Sequence, residues 1–525
     1  MQMNSYLWSL YLNAGGQAIV DRFAAFEAGD WAGFSAFILS LVAAYCPDST
    51  LADDFAGAVD EAIAVLENSN SENADMCRAA NVAERSSDNP RTYADEAEAD
   101  WHWFQQALPE SVPIPSMDKE TLLIFCDNLV FFSVLAYAEA PNAYLPYFFP
   151  GLYNVLTTIA ELFEIVLPET PSQRNYRDRF QFYYALCSTF SAWRETQNWT
   201  SAELCAFLYD FAPKFAGGTR WIWQVLPEPR AAFVVGASPD SNVRWQAADA
   251  DAVFSCQGNP DTQPGDLILM YQWAPKSAFT SVWSAVSPGF VDPLCRHYRC
   301  IYIGNPRRIP PLSYQMLKSD PFLEQLALVK TRMLGMNGTE LKPSQYNALW
   351  DMMHRNGEIC PPLPPLTNHF DFACPNLEIQ TEHDVERLLL EPLLARLGWT
   401  REHYVRQMPL RMGRGHSVYP DYVLLPQFTP NCEKAFWVVE AKKSIPSAKQ
   451  LRIDCNQAAS YAYRLDAAGL MLVAQEGIWL ADRKDDFGQL QHYTWEQLQN
   501  SDVFSQVFSK IGYRKERRRH PTRKA

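Results

Sequence analysis

The residue types best suited to catalysis lie on two short hydrophobic runs near the C-terminal end of the chain. Pro420 and Asp421 open one run, and Glu440, Ala441 and Lys442 close another that ends about twenty residues later. Both runs have the apolar content of strands. Glu440 and Lys442 are two positions apart, so on a strand they face the same side. Carboxylates are hard oxygen ligands that suit Mg²⁺, or Mn²⁺, and a neighbouring lysine can approach water or phosphate. The spacing therefore predicts a metal-dependent phosphodiesterase site.

Predicted helices before and between these strands would hold them in place. Thr381 is a candidate N-cap for a helix whose apolar residues recur at helical spacing. Glu382 and Glu386 are four residues apart on that helix and share a face. A second predicted helix carries Gln457 and Tyr461, which have the same spacing, and two more strands follow it. The predicted order is helix, strand, strand, helix, strand, strand.

The stretch 377–513 resembles the PD-(D/E)XK nuclease superfamily, and within it the N-terminal nuclease domain of type I restriction enzyme R subunits. The matching motifs are Glu382-x-x-x-Glu386, Pro420-Asp421, Glu440-x-Lys442 and Gln457-x-x-x-Tyr461. The resemblance implies a C-terminal restriction-endonuclease-like domain with the element order αβββαβ. The alternatives are a nuclease fold that has lost its activity, or ordinary surface charges.

The resemblance also implies a role for each matched residue. Asp421 and Glu440 would bind Mg²⁺ or Mn²⁺, and Lys442 would be catalytic. The Gln-x-x-x-Tyr pair on the second helix, Gln457 and Tyr461, would support cleavage or DNA contact. Glu382 would join the metal ligands, although Glu386, one turn further along, could serve instead of it.

Length and composition predict several packed domains. A chain of 525 residues is long enough for about three domains. The 48% hydrophobic content favours packed cores over disorder. The net charge of −15 is unexpected for a DNA enzyme, but positive charge is concentrated in the tail 514–525. Arg517, Arg518 and Arg519 of that tail are expected to contact the nucleic-acid backbone, unless the tail is merely a solvated terminus.

Residues 1–215 are predicted to form a helical domain of unknown role. Apolar and acidic residues recur at helical spacing over 19–44, 53–66, 119–139, 152–167 and 177–196. Thr200 and Glu203 are spaced for a capping box. The twelve cysteines include no Cys-x-x-Cys pair, and neither a signal peptide nor a membrane span is recognised. We therefore expect a cytoplasmic protein.

Residues 216–350 have the composition of a strand-rich domain, with expected strands over 220–225, 231–235, 265–271, 278–286 and 297–303. The arrangement resembles the EVE branch of the PUA-like fold, which is a small β-barrel. That family holds a nucleobase, often a modified one, in an aromatic pocket. The aromatic residues that could supply its walls are Trp221, Trp223, Trp245, Tyr271 and Trp273. Core packing is the alternative for each of them.

A proline-rich stretch, 351–376, is predicted to be a stiff linker between the barrel and the nuclease domain. The combined prediction is a multidomain α+β and α/β protein. Its expected function is that of a Mg²⁺-dependent DNA endonuclease of prokaryotic anti-phage defence, directed at modified bases. One alternative is a nuclease effector activated by a partner or a small nucleotide, with the middle or N-terminal domain as the sensor. A second alternative is a catalytically inactive nucleic-acid-binding module.

Partners follow from the same reasoning. Cleavage of both DNA strands usually needs two active sites, which a homodimer would provide. The chain carries no Gly-rich phosphate loop ending in Gly-Lys-Ser/Thr, so translocation along DNA would need a separate motor subunit. No membrane partner is expected.

Overall fold

A computed structural model describes residues 3–69, 118–237, 249–357, 359, 362–366, 378–411, 417–428 and 432–513. Trp245 and the tail residues Arg517, Arg518 and Arg519 lie outside this described part. The architecture of the described residues is mixed α/β, with a helical N-terminal region followed by two large sheets and a small two-stranded one.

The N-terminal region has ten α-helices within the described segments 3–69 and 118–237. They are α1 (Ser5–Tyr11), α2 (Gln17–Glu27), α3 (Phe34–Val42), α4 (Ser49–Ser69), α5 (Lys119–Asp127), α6 (Leu129–Glu139), α7 (Tyr153–Leu162), α8 (Tyr176–Gln197), α9 (Ser201–Ala206) and α10 (Ala212–Phe215). Leu12–Gly16 and Phe207–Phe211 are π-helical. Two predicted helices are each split in two. The first breaks before Gly33, which lies at φ 68°, and the second breaks at Asn128.

Local sequence signals account for several of these helix ends. The capping box predicted at the start of α9 is confirmed: Thr200 Oγ1 accepts from the Glu203 amide at 3.1 Å. The Glu203 carboxylate accepts from the Thr200 amide at 2.8 Å. Each bond satisfies a backbone donor that has no partner within the helix.

The first sheet has seven strands in the order β2-β6-β4-β3-β1-β7, with β5 paired to β6. The strands are β1 (Ala232–Ala237), β2 (Phe254–Gln257), β3 (Leu267–Gln272), β4 (Ala278–Ala285), β5 (Phe290–Val291), β6 (Arg299–Ser313) and β7 (Asn337–Leu341). β1 and β3 are parallel, and the other pairs are antiparallel. The expected strand over 220–225 is not formed, because a 3₁₀-helix, Gly218–Trp221, takes its place.

This sheet curls until its two ends meet. Gln257 Nε2, on β2, donates to the carbonyl oxygen of Gly236, on β1, at 3.3 Å. Asn259 Nδ2 donates to the carbonyl oxygen of Gly338, on β7, at 3.0 Å. The enclosed face is filled by apolar side chains, among them the fully buried Trp283. The curled sheet is therefore a packed core, as small barrels are. Its outer face packs under α11 (Tyr314–Ser319), α12 (Ala327–Lys330) and α13 (Pro343–Asn356).

The helical region and the curled sheet share one hydrophobic core across the predicted boundary at 215/216. Tyr302 and Val286 of the sheet region pack within the helical cluster. Tyr302 donates to the carbonyl oxygen of Gly151 at 3.0 Å. The buried guanidinium of Arg179, on α8, donates to the carbonyl oxygen of Pro293 at 2.8 Å. These contacts join the helical region to the curled sheet, whereas the sequence predicts two separate domains.

The C-terminal part holds the second sheet, in the order β15-β14-β13-β12-β11-β8. The elements of this part are α14 (Glu382–Val385), α15 (Glu391–Arg396), β8 (Tyr404–Arg406), β9 (Leu410–Arg411), β10 (Ser417–Val418), β11 (Tyr422–Leu424), β12 (Trp437–Ala441), α16 (Ala448–Arg464), β13 (Gly469–Ala474), β14 (Gly477–Asp482), β15 (Gln491–Tyr493) and α17 (Ser501–Ile511). β9 and β10 pair with each other in a separate two-stranded sheet. A π-helical turn, Glu386–Leu390, joins α14 to α15. β12 and β13 are parallel, as the crossover through α16 requires.

The described part of the proline-rich stretch packs against a helix instead of spanning open space. α13 includes the first six positions of the predicted linker. The Leu363 and Leu366 side chains are almost fully buried. Trp350 Nε1 donates to the carbonyl oxygen of Leu363 at 2.6 Å, and Asn347 Oδ1 accepts from the Leu366 amide at 2.8 Å. The proline content predicts a free spacer, whereas these contacts hold the stretch against α13.

Within the described residues, no single helix is both long and apolar enough to cross a membrane. The pair α5 and α6 passes that test only when taken together, and it is bent by 69°.

Candidate active site

Strand alternation brings the two predicted carboxylates to one face of the second sheet. Val423 on β11 and Val438 on β12 pair directly and pack in the cluster that α16 covers. Asp421 lies two positions before Val423, and Glu440 lies two positions after Val438. Since side chains two apart on a strand point the same way, both carboxylates face the α16 side. Lys442, two positions beyond Glu440, continues on that side.

Backbone hydrogen bonds lock the two acidic residues together. The Asp421 amide donates to Glu440 Oε1 at 3.1 Å, and the Ala441 amide donates to Asp421 Oδ2 at 2.8 Å. Lys442 Nζ lies 3.4 Å from Glu440 Oε2 and forms an ion pair with it. Oδ1 of Asp421 accepts no hydrogen bond from any residue in the described ranges. The structure therefore brings Asp421, Glu440 and Lys442 into one cluster.

Burial shapes the electrostatics of this cluster. Burial and the neighbouring Asp421 carboxylate raise the pKa of Glu440 to about 7, against the opposing effect of Lys442. Burial also raises the pKa of Asp421. Burial alone would lower the pKa of Lys442, but the carboxylates of Glu440, Glu382 and Asp421 outweigh it and raise that pKa. One ammonium does not fully compensate the buried carboxylate of Glu440 and the partly buried one of Asp421, so the cluster favours an additional positive charge.

The structure distinguishes between the two glutamates of the first helix. Glu382 lies near enough to Lys442 to raise the pKa of its ammonium. Glu386, which is buried, instead forms an ion pair with Arg406 of β8. Its carboxylate is also within 3.5 Å of the Tyr422 hydroxyl. Of the two, Glu382 is therefore the one associated with the lysine.

Gln457 and Tyr461 form the pair that their spacing predicts. Gln457 Nε2 donates to the Tyr461 hydroxyl at 3.0 Å. The Tyr461 side chain is mostly buried in the cluster that includes Val438, whereas Gln457 is exposed. The pair thus lies on the helix that covers the face carrying the two carboxylates.

Sequence reasoning missed two sets of supporting residues. One is Arg406 with its partners Glu391 and Tyr422, and the other is Glu476. Arg406 Nη1 pairs with Glu391 at 3.1 Å, and the Tyr422 hydroxyl donates to the same carboxylate at 3.1 Å. Arg406 also lowers the pKa of Asp421, against the larger effect of burial. Glu476 holds the loop after Lys442, because its Oε2 accepts from the Ile445 amide at 3.1 Å. No local pattern marks these residues, since their partners are distant in sequence.

The cluster fits a divalent metal with few protein ligands. Hard carboxylate oxygens, incomplete charge compensation and the open Oδ1 of Asp421 all suit Mg²⁺, which commonly binds through one or two carboxylates and keeps several waters. Across the described segments, no group of three or more His, Cys, Asp or Glu side chains is close enough to hold a metal. Asp421 and Glu440 would be the direct ligands, and a third ligand from Glu382 stays a prediction.

The four described aromatic residues that were expected to read a base do not line one pocket. Trp221 packs edge-on against Tyr302 at 4.7 Å between ring centroids. Tyr271 is 3% exposed and packs against Phe279. The Trp223 amide donates to the carbonyl oxygen of Val286, beyond the end of β4.

Trp273 follows the far end of the antiparallel partner strand β3, where Gln272 pairs with Ala278. Trp223 and Trp273 therefore lie at opposite ends of the β3–β4 pair. Of the four described candidates, Trp223 is the most exposed, at 50%.

Comparisons with known proteins add little to this picture. No family model and no curated protein matches the chain. A solved structure, the NMR structure of Rpa0253 from Rhodopseudomonas palustris, is similar over 24% of this chain and 96% of its own. The sequence identity is 17% and the TM-score is 0.21, which is too low to support an argument about fold or function.

Proposed function

We propose that the chain is a Mg²⁺-dependent DNA endonuclease whose active site is formed by Asp421, Glu440 and Lys442. The observation that carries this proposal is the convergence of the buried Glu440, the partly buried Asp421 and a lysine on one sheet face, with the pKa of Glu440 raised to about 7. Two adjacent carboxylates with raised pKa values are costly to maintain, and such arrangements are concentrated at functional sites. A role in prokaryotic defence remains part of the proposal and rests on the family resemblance alone.

The chain's own residues account for positioning and charge. Asp421 and Glu440 would hold the ion through carboxylate oxygens that backbone amides keep in place. When bound, Mg²⁺ supplies an activated water and neutralises charge on the scissile phosphate. Lys442 stays protonated at neutral pH because its pKa is raised. It would therefore donate hydrogen bonds to the phosphate or the water, and it would not take a proton as a base.

Removal of the lysine tests this proposal. Purified wild type and Lys442→Ala are compared on labelled duplex and single-stranded DNA with and without Mg²⁺. We expect metal-dependent cleavage by the wild type and a loss of about 100-fold or more in the variant, with DNA binding largely retained. A matched control is Lys484→Ala, which removes an exposed lysine that follows β14 and lies outside the cluster. Equal cleavage by wild type and Lys442→Ala would refute the site assignment.

The proposal also includes a preference for modified DNA, and substitution of Trp223 tests this preference. Its ring is half exposed, so an extruded base could stack on it, whereas Tyr271 is a core residue. Matched DNAs with and without modified cytosines are cleaved by wild type and Trp223→Ala. A preference that Trp223→Ala lowers supports base reading there. Equal cleavage of both DNAs by the wild type would leave a nuclease without modification dependence.

A further inference from the structure

The exposed side of α16 differs in charge from the rest of the chain. Its outward residues include Lys449, Arg452, Asn456 and Gln457, which are all exposed and which we call the basic face of α16. The helix has one acidic residue, Asp454, which is only 4% exposed. That carboxylate accepts a hydrogen bond from Gln450 Nε2 at 2.9 Å. The basic face therefore presents positive charge with no acid beside it on the same helix.

The cations of this face are also unpaired, unlike many others in the C-terminal part. Neither Lys449 nor Arg452 forms an ion pair with any residue in the described ranges. The cations that are paired there are Arg406, Lys434, Lys442, Arg464, Arg483 and Lys510. In a chain of net charge −15, two exposed cations three residues apart, on a helix whose one acidic residue is buried, form a local concentration of positive charge that suits an anionic ligand.

The basic face of α16 belongs to the helix that packs on the candidate active site. α16 covers the sheet face that carries Asp421 and Glu440, and its first turn follows Lys442 by a short loop. Lys449 and Gln457 are eight residues apart, so they lie along one side of the helix. The exposed Lys443 follows Lys442 directly. Positive charge thus extends from the candidate catalytic lysine along the first turns of α16.

We propose that the basic face of α16 binds the sugar-phosphate backbone of the DNA beside the bond to be cleaved. The inference rests on the proposed nuclease function and specifies where its substrate lies. A polyanion is the occupant that matches the charge, since phosphates attract lysine and arginine without reference to sequence. Lys449 and Arg452 are three residues apart and project from adjacent turns, so each can neutralise a different phosphate.

The salt dependence of DNA binding tests this inference. In a Lys442→Ala background, which isolates binding from cleavage, a fluorescein-labelled duplex is titrated by anisotropy at several KCl concentrations. The test variant adds Lys449→Glu and Arg452→Glu. Loss of two phosphate contacts should reduce the slope of log K against log[salt] by about 2. The affinity should fall by about tenfold or more at low salt.

A control variant carries the same change of charge elsewhere. Lys330→Glu with Lys484→Glu reverses two exposed cations that have no ion-pair partner in the described ranges. Lys484 follows β14, whose last residue Asp482 pairs with Gly469, so it lies near the opposite end of the strands from Lys442. The control should leave the slope within about 0.5 of the parent.

The outcomes separate the inference from the proposed function. A slope that falls equally in the test and control variants, or in neither, overturns the inference; so does an absence of DNA binding by the parent. A selective loss of slope supports it even where the Lys442-containing protein cuts no DNA, a result that would refute only the nuclease. Cleavage that depends on Lys442 while the slope is unaffected would keep the nuclease and place its DNA elsewhere. A face that served a protein partner would give that last result.

Discussion

The backbone amide of Asp421 donates to Glu440 Oε1 at 3.1 Å, which fixes the two acidic residues against each other across neighbouring strands. The Ala441 amide returns a bond to Asp421 Oδ2. The carboxylates are therefore held in place before any metal binds, and they remain close although both are negatively charged when ionised. This preorganisation costs stability in the metal-free protein, and the cost can be measured.

Glu440→Gln should stabilise the metal-free protein at pH 8 while it abolishes cleavage. The folded-state pKa of Glu440 is raised to about 7, above its ordinary value. Its contribution to stability is therefore fully present below the unfolded-state pKa and is lost as pH rises through about 7. At pH 8 the neutral amide should increase the free energy of unfolding by about 1–3 kcal/mol, and the gain should vanish near pH 4. Urea unfolding in EDTA measures it; a less stable variant at pH 8 would contradict the argument.

The affinity for Mg²⁺ should increase with pH through about 7. Metal ligands must be deprotonated, and Glu440 is partly protonated at neutral pH in the absence of metal. Below pH 7 the affinity should fall by about tenfold for each pH unit, because one proton is displaced. Isothermal titration of wild type between pH 5.5 and 8.5 measures this. Glu440→Gln should bind weakly at every pH, and an affinity independent of pH in the wild type would argue against Glu440 as a ligand.

Glu382→Gln and Glu386→Gln should separate activity from stability. Glu382 is exposed and acts on the Lys442 ammonium, so its loss should reduce cleavage with a change in unfolding free energy within about 0.5 kcal/mol. Glu386 is buried and pairs with Arg406, so its loss should cost about 1–3 kcal/mol. Cleavage assays and urea unfolding of both variants measure these two effects. If Glu386→Gln reduced cleavage without loss of stability while Glu382→Gln did not affect cleavage, Glu386 would be the functional residue.

Sequence patterns predicted the features that depend on local periodicity. The two-residue period of a strand places Glu440 and Lys442 on one face, and a four-residue spacing brings Gln457 to Tyr461. Neither relation needs knowledge of the rest of the fold. The choice between Glu382 and Glu386 could not be predicted, because it depends on Arg406, which lies on a strand twenty residues further along.

The same limit applies to burial. Trp223 and Tyr271 are both aromatic residues in a strand-rich segment, and only the three-dimensional packing makes one half exposed and the other a core residue. The proline-rich stretch has the composition of a spacer, yet Leu363 and Leu366 are buried against α13. Composition describes the conformation that a segment prefers by itself, and tertiary contacts can override it.

A buried carboxylate links the helical region to the curled sheet. Asp292 is 0% exposed, and its Oδ2 accepts from the Gly151 amide at 2.6 Å. Its Oδ1 accepts from the amides of Leu294 at 2.9 Å and Cys295 at 3.1 Å. Burial raises the pKa of Asp292 to about 6, although these hydrogen bonds and Arg179 oppose the shift. The carboxylate is thus well bonded and still costly to ionise.

Asp292→Asn should remove a pH-dependent part of the protein's stability. Since the folded-state pKa is raised, the contribution of Asp292 is fully present below its unfolded-state pKa and is lost as pH rises through about 6. Between pH 4 and pH 7 the free energy of unfolding should therefore fall by up to about 3 kcal/mol more in the wild type than in the variant. The variant also replaces the acceptor for Gly151 with a donor, which should cost about 1–3 kcal/mol at either pH. Urea unfolding of both proteins at several pH values separates the two effects, because other titrating groups are common to both. Parallel stability curves would mean that Asp292 does not titrate in this range.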